Sequence, residues 1–112
     1  MRKQIESYIP RALEAIKRFE IATNNGEVPK QFNGYIASFG ASVRQAGLLA
    51  TTLFYQNTKN TEEDRSKVID AIEFIIEQPI VTQENRVEKN TREKVEDAAV
   101  ALKLAVRTFK LV

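Results

Sequence analysis

Apolar residues recur along this chain at helical rather than alternating spacing, in four or five separate runs. In the first, residues 2–23, Ile5, Tyr8, Ile9, Ala12, Leu13, Ala15, Ile16 and Phe19 share one face at a helical turn angle, with Arg11, Glu14, Lys17 and Arg18 opposite. Pro10 lies on the polar side of that wheel. It either opens the helix in its first turn, with Ser7 nearby as a cap, or kinks one longer helix. Thr23-Asn24-Asn25-Gly26 is read as the helix end, Gly26 taking a left-handed backbone. Val28-Pro29 then makes a short extended approach to the next run.

Residues 30–57 place Phe32, Tyr35, Ile36, Phe39, Val43, Ala46, Ala50, Leu53 and Phe54 on one face. The opposite side is small rather than charged, with Ala37, Gly40 and Ala41, and from Gln31 to Thr58 the one charged residue is Arg44. Small residues let another backbone approach, so burial on more than one side is expected. Gly47 is read as a break giving helices near 30–45 and 47–57; the alternative is one helix through Gly40 and Gly47, each costing about 1 kcal/mol against Ala. Asn57-Thr58-Lys59-Asn60 reads as a loop. Thr61 is a candidate N-cap, with Asp64 three residues on and Glu62 and Glu63 in the electropositive first turn. The helix it opens buries Val68, Ile69, Ala71, Ile72, Ile75 and Ile76, and Pro79 stops it. Residues 82–94 are nearly all polar, a solvated loop or the exposed start of the last helix, with Asn90 and Glu93 as a capping pair.

In that last helix Val95, Ala98, Ala99, Leu102, Ala105, Val106 and Phe109 form one apolar stripe, and Val100, Leu104 and Leu111 form a second, roughly opposite. A helix apolar on two faces is either central in a bundle or half of a subunit interface. Lys103, Arg107 and Lys110 lie between the stripes at spacings of four and three. The fold class these runs predict is all-α, a compact bundle of four to five helices in a single domain, residues 1–112, without a β-sheet. No run approaches the roughly 18 apolar residues of a membrane span. Met1-Arg2-Lys3-Gln4 has no apolar run behind it, so neither signal peptide nor membrane association is expected, and the cytoplasm is the expected location.

Composition narrows the chemistry. The 112 residues contain no Cys, no His and no Trp. Thiolate nucleophiles, zinc–thiolate sites and Ser–His–Asp triads are thereby excluded, and any metal site would be all oxygen. The carboxylate clusters Glu62-Glu63-Asp64 and Glu93, Glu96, Asp97 could hold magnesium, but each reads first as negative charge at a helix N-terminus. Gly34, Gly40 and Gly47 do not form a phosphate loop, since no strand precedes them. No cofactor is expected.

The net charge of +2 hides an uneven spread. Residues 1–50 carry seven basic and four acidic groups, residues 51–97 seven and eleven, and residues 98–112 three and none. Basic ends suit an anionic partner. Arg44, alone in its uncharged run, either reaches solvent or meets a phosphate or a partner's carboxylate. Lys103, Arg107 and Lys110 are either a solvated helix face or a phosphate-contacting stripe, and Lys17 and Arg18 are further candidates.

The segment Gly34-Tyr35-Ile36-Ala37-Ser38-Phe39-Gly40-Ala41-Ser42-Val43-Arg44-Gln45-Ala46-Gly47-Leu48-Leu49-Ala50-Thr51-Thr52-Leu53-Phe54-Tyr55 resembles the small helical subunit of the Cmr complex, the type III-B CRISPR effector. There a Ser- and Ala-rich helix runs into Gly-Leu and then into a helix ending Leu-aromatic-aromatic. Ile9-Pro10, Ala12-Leu13 and the stretch from Ala101 to Lys110 are also similar, so the likeness covers most of the chain. The resemblance implies a protein without catalytic activity of its own. Copies of it would stack beside the backbone subunits that carry CRISPR RNA and help line the channel for target RNA, while other subunits cut. The family motif assigns no RNA contact to single positions. The RNA-binding candidates from charge are Lys17, Arg18, Arg44, Lys103, Arg107 and Lys110, and the subunit-interface candidates are Val100, Leu104 and Leu111. Two other readings stay open: a helical adaptor or regulator that binds no nucleic acid, and a carboxylate–magnesium enzyme.

Overall fold

A computed structural model describes residues 3–57 and 65–112. The first apolar run folds as α1 (Lys3–Arg18), one helix with Pro10 inside it and exposed. Ile5, Ala12, Ala15 and Ile16 are its buried face. The helix stops five residues before the expected end because Glu20 takes a left-handed backbone (φ 57°), and the Ile21 and Ala22 amides close onto the Ile16 carbonyl. Ile21 and Ala22 are buried, although an extended α1 would turn Ile21 onto the polar face; the left-handed turn at Glu20 brings it inward. Gly26 is left-handed as expected (φ 75°), but its place is the turn in which the Thr23 amide donates to the Glu27 carbonyl.

That turn feeds β1 (Glu27–Val28), followed by α2 (Lys30–Ala46) and α3 (Leu48–Gln56). Gly47 between them has φ 92° and ψ 160°, a backbone open in practice to glycine alone, and it separates two helices as the sequence indicated. The break also resets the helical phase. Beyond it Leu48, Thr51, Thr52 and Tyr55 face inward, while Leu53 and Phe54, which the uninterrupted wheel puts in the core, face out. Nor is the small side of α2 covered: Ala37 and Ala41 are exposed, and a Cβ at Gly34 would meet nothing within 4 Å.

In α4 (Ser66–Ile76) the buried residues are the six the sequence named. Glu77 ends it in the left-handed region (φ 61°), with Pro79 two residues on. The Glu73 carboxylate accepts the Ile80 amide at 2.9 Å and pins the exit loop. The proposed cap at Thr61 and the cluster Glu62-Glu63-Asp64 lie outside the described residues. After a turn in which the Thr82 amide donates to the Arg86 carbonyl, α5 (Thr91–Val106) begins. Asn90 stands at its N-cap as expected, by a left-handed backbone (φ 71°), but its own side chain makes no cap bond.

The central helix is α5, which packs against α1, α2 and α4. Its inner positions include Ala98, Ala99, Ala101 and Ala105, small enough to admit three neighbours. It ends at Val106; the Thr108 hydroxyl and amide both turn back onto the Ala105 carbonyl, and the chain leaves as β2 (Lys110–Leu111). Strand β2 pairs in parallel with β1, Glu27 opposite Lys110 and Val28 opposite Leu111. This two-residue sheet corrects the expectation of none, and the molecule is otherwise all-α. Among the described residues no helix is long and apolar enough to cross a membrane.

Candidate nucleic-acid interface

The partners of α5 decide where the candidate residues fall. Gln4, near the start of α1, donates to the buried Asp97 carboxylate at 2.6 Å, while Lys17, near its end, lines the same wall as Phe109. Helices α1 and α5 therefore run parallel. Helix α2 runs the other way along α5, and the seam between them opens into a groove of about 260 Å³. Its walls are Ile36, Ala37, Phe39, Gly40, Val43 and Arg44 from α2, and Glu96, Ala99, Val100 and Lys103 from α5.

Three candidates meet here. Arg44 and Lys103 come from opposite walls, and neither forms an ion pair or hydrogen bond among the described residues. Val100, 42% exposed, lines the same groove. Arg44 projects back along its own helix, so that its Nη2 is 3.9 Å from where a Gly40 Cβ would stand. The acidic member is Glu96, and its Oε1 accepts Arg92 Nε at 2.9 Å. The groove thus presents two unengaged cations over a largely hydrocarbon floor.

The other candidates scatter. Arg107 is exposed at the C-cap of α5, one turn beyond Lys103. Lys110 is not on the helix: it belongs to β2, 3.9 Å from the Glu27 carboxylate. The three-residue cationic stripe is therefore a two-residue one, because the wheel was carried past the turn at Thr108. Lys17 lines a separate open pocket with Asn24, Asn25 and Phe109. Arg18 faces α4, its guanidinium 5.1 Å from the Phe74 ring centre, and Arg11 lies 4.9 Å from the same ring. The three residues of the second apolar stripe are also differently placed. Leu104 is partly buried against the core and Leu111 sits in the sheet, also partly buried, so Val100 alone remains open.

Sequence reasoning missed two features. Arg65 lies 4.4 Å from the Phe54 ring centre and within 6 Å of Tyr35 and Tyr55. The outer side of α3 exposes Leu49, Leu53 (44%) and Phe54 (58%). The phase jump at Gly47 was the signal that would have placed those side chains outside.

The carboxylates of α5 do not make a metal cage. Asp97 is fully buried and bonded to Gln4, Glu96 is tied to Arg92, and no group of three or more potential metal ligands occurs among the described residues. Neither a curated protein nor a solved structure matches this chain. A family model described as CRISPR-associated protein (Cas_Cmr5) matches residues 5–107, which spans α1 through the C-cap of α5 and includes both walls of the groove. The chain belongs to that family, the small helical subunits of the type III-B CRISPR Cmr complex.

Proposed function

We propose that the protein is a non-catalytic, single-domain subunit of a cytoplasmic Cmr effector in antiviral defence, and that it holds RNA by its phosphates. The observation that carries this reading is the convergence of Arg44 and Lys103 on one groove, both unengaged among the described residues. Phosphate contacts position a strand without reading its bases, which suits a complex whose guide RNA does the reading. Arg107 extends the same face by one turn; Lys17 and Lys110 supply charge at the far end of the α1–α5 pair. Arg18, stacked on Phe74, contributes least. With few cations per copy, affinity depends on several copies acting together.

The test is the double substitution Arg44→Ala/Lys103→Ala in a reconstituted complex, with target RNA binding measured at two salt concentrations. Affinity is expected to fall, and the log–log salt slope to shrink by about 0.7 for each single-strand phosphate that is no longer neutralised. Arg18→Ala is expected to change neither. Unchanged affinity and slope in the double variant would leave the groove cations as solvated surface and defeat the reading.

A second role is favoured by the exposed side of α3. Leu49, Leu53 and Phe54 expose more apolar surface than Leu104 and Leu111, which pack on their own core. We place the contact with neighbouring subunits or further copies there and at Val100.

A further inference from the structure

This inference rests on the phosphate reading of the groove and concerns what else of the RNA enters it. We propose that the α2–α5 groove seats one unpaired nucleotide, its base on the apolar floor and its phosphate between Arg44 and Lys103. Ile36, Phe39, Val43 and Ala99 are buried beneath it, so the floor is mainly hydrocarbon, the polar groups standing at its rim in Arg44, Lys103 and Glu96. Such a floor accepts the face of any base and discriminates little among them. The space is kept clear by small residues: Ala37 is exposed, and a Cβ at Gly40 would meet only Arg44 Nη2. At about 260 Å³ it lies just below the usual range for drug-sized ligands, about 300 Å³ upward. It holds a ring system, whereas a docked helix, about 10 Å across, needs a wider bed.

Charge fixes the orientation. Arg44 reaches back to Gly40, at the edge of the groove, and a guanidinium there can stack on a base as well as meet phosphate. Glu96 repels phosphate, so the phosphate belongs on the Lys103 side of Arg44, between the two cations. A base inside a duplex is stacked on both faces and cannot enter; the ligand is therefore a single strand or a nucleotide extruded from one.

The experiment uses the full-length chain at low salt, with fluorescence anisotropy of two probes: a 12-nucleotide single-stranded RNA, and the same backbone with abasic residues throughout its centre. The wild type is expected to bind the abasic probe roughly five- to tenfold more weakly. Gly40→Leu fills the groove and retains both cationic residues, the Arg44 guanidinium swinging aside from the new side chain; it is expected to erase the difference and keep the salt dependence. Ala37→Leu, from the same wall, serves as the second variant should Gly40→Leu prove unfolded by circular dichroism. Equal binding of both probes by wild type, with both weakened by Lys103→Ala, would overturn the nucleotide site and leave the phosphate reading standing. Indifference of both probes to Lys103→Ala and Arg44→Ala would overturn the phosphate reading itself. Filled-groove variants that discriminate like wild type but fail to assemble with Cmr subunits would assign the groove to a protein partner and overturn the proposal.

Discussion

Glu20 and Glu77 occupy positions where glycine usually stands, the left-handed residue that closes a helix. Glu20 holds its place through neighbours: Ile21 and Ala22 are drawn into the core behind it, and its carbonyl accepts from Lys67 at 3.3 Å, a bond glycine would keep. Glu20→Gly is expected to stabilise the fold by about 0.5–1 kcal/mol in urea denaturation. Glu73 works differently. Half-burial raises its pKa, the bond from the Ile80 amide opposes that, and Asp70 adds to it. A carboxyl whose folded pKa is raised favours folding most when protonated, and that contribution is lost as pH climbs through the folded value. Glu73→Gln can still accept the Ile80 amide, so it is expected to raise the melting temperature at neutral pH, the gain vanishing below about pH 4. The chemistry of single residues was the most legible part of the sequence. The lack of Cys and His and the isolation of Arg44 are facts of composition, whereas the convergence of Arg44 with Lys103 is a fact of packing between helices far apart in the chain.

Gly47 separates two helices whose buried faces do not match in phase. At φ 92° and ψ 160° it tolerates no Cβ without strain although open space surrounds it, so the constraint is in the backbone. Gly47→Ala is expected to cost about 1–3 kcal/mol. Gly34→Ala, mid-helix and unobstructed, is expected to stabilise by about 0.5–1 kcal/mol, and paired thermal melts of the two variants separate the effects. Helix existence was readable throughout from the 3.6-residue period and the glycine at 47, which gave α1, α2, α3, α4 and α5 and the break after Ala46. Helix ends were not. Phe109 continues the inner stripe of α5 and packs against the core from irregular backbone, whereas Ile21 and Leu111, which a continued wheel would turn away from the core stripe, are brought inward or partly so by the breaks before them. Burial period reports which residues face the core, not which hydrogen bonds their amides make. A two-residue strand is too short for any alternation to show.

The parallel β1–β2 pairing ties the last five residues to the segment between α1 and α2. Gly26 and Val28 carbonyls accept the Lys110 and Val112 amides, at 3.2 and 2.9 Å, and Phe109 and Leu111 pack against the core edge. Truncation after Arg107 removes that packing and uncovers Val28, which is fully buried. It is expected to cost about 2–3 kcal/mol, measured as an earlier urea midpoint, because two half-buried large side chains together equal about one fully buried one plus its strand bonds. Fold class was legible from the whole sequence, and the family from the segment Gly34–Tyr55; which helix sits at the centre was not, since both stripes of α5 allowed centre or surface.

The parallel run of α1 beside α5 has a consequence in time. The most extensive helix pairing in the molecule joins the first helix to the last, with everything else enclosed between them. Loop closure of that length must precede the packing that rewards it, so folding is slower than in a bundle of successive hairpins. During synthesis Ile5, Ala12, Ala15 and Ile16 have no α5 to cover them until residue 106 has been made. Everything from α1 through α5 must therefore be synthesised before these two helices can pair, and until then the nascent segment is a client for whatever in the cell shields an exposed apolar helix.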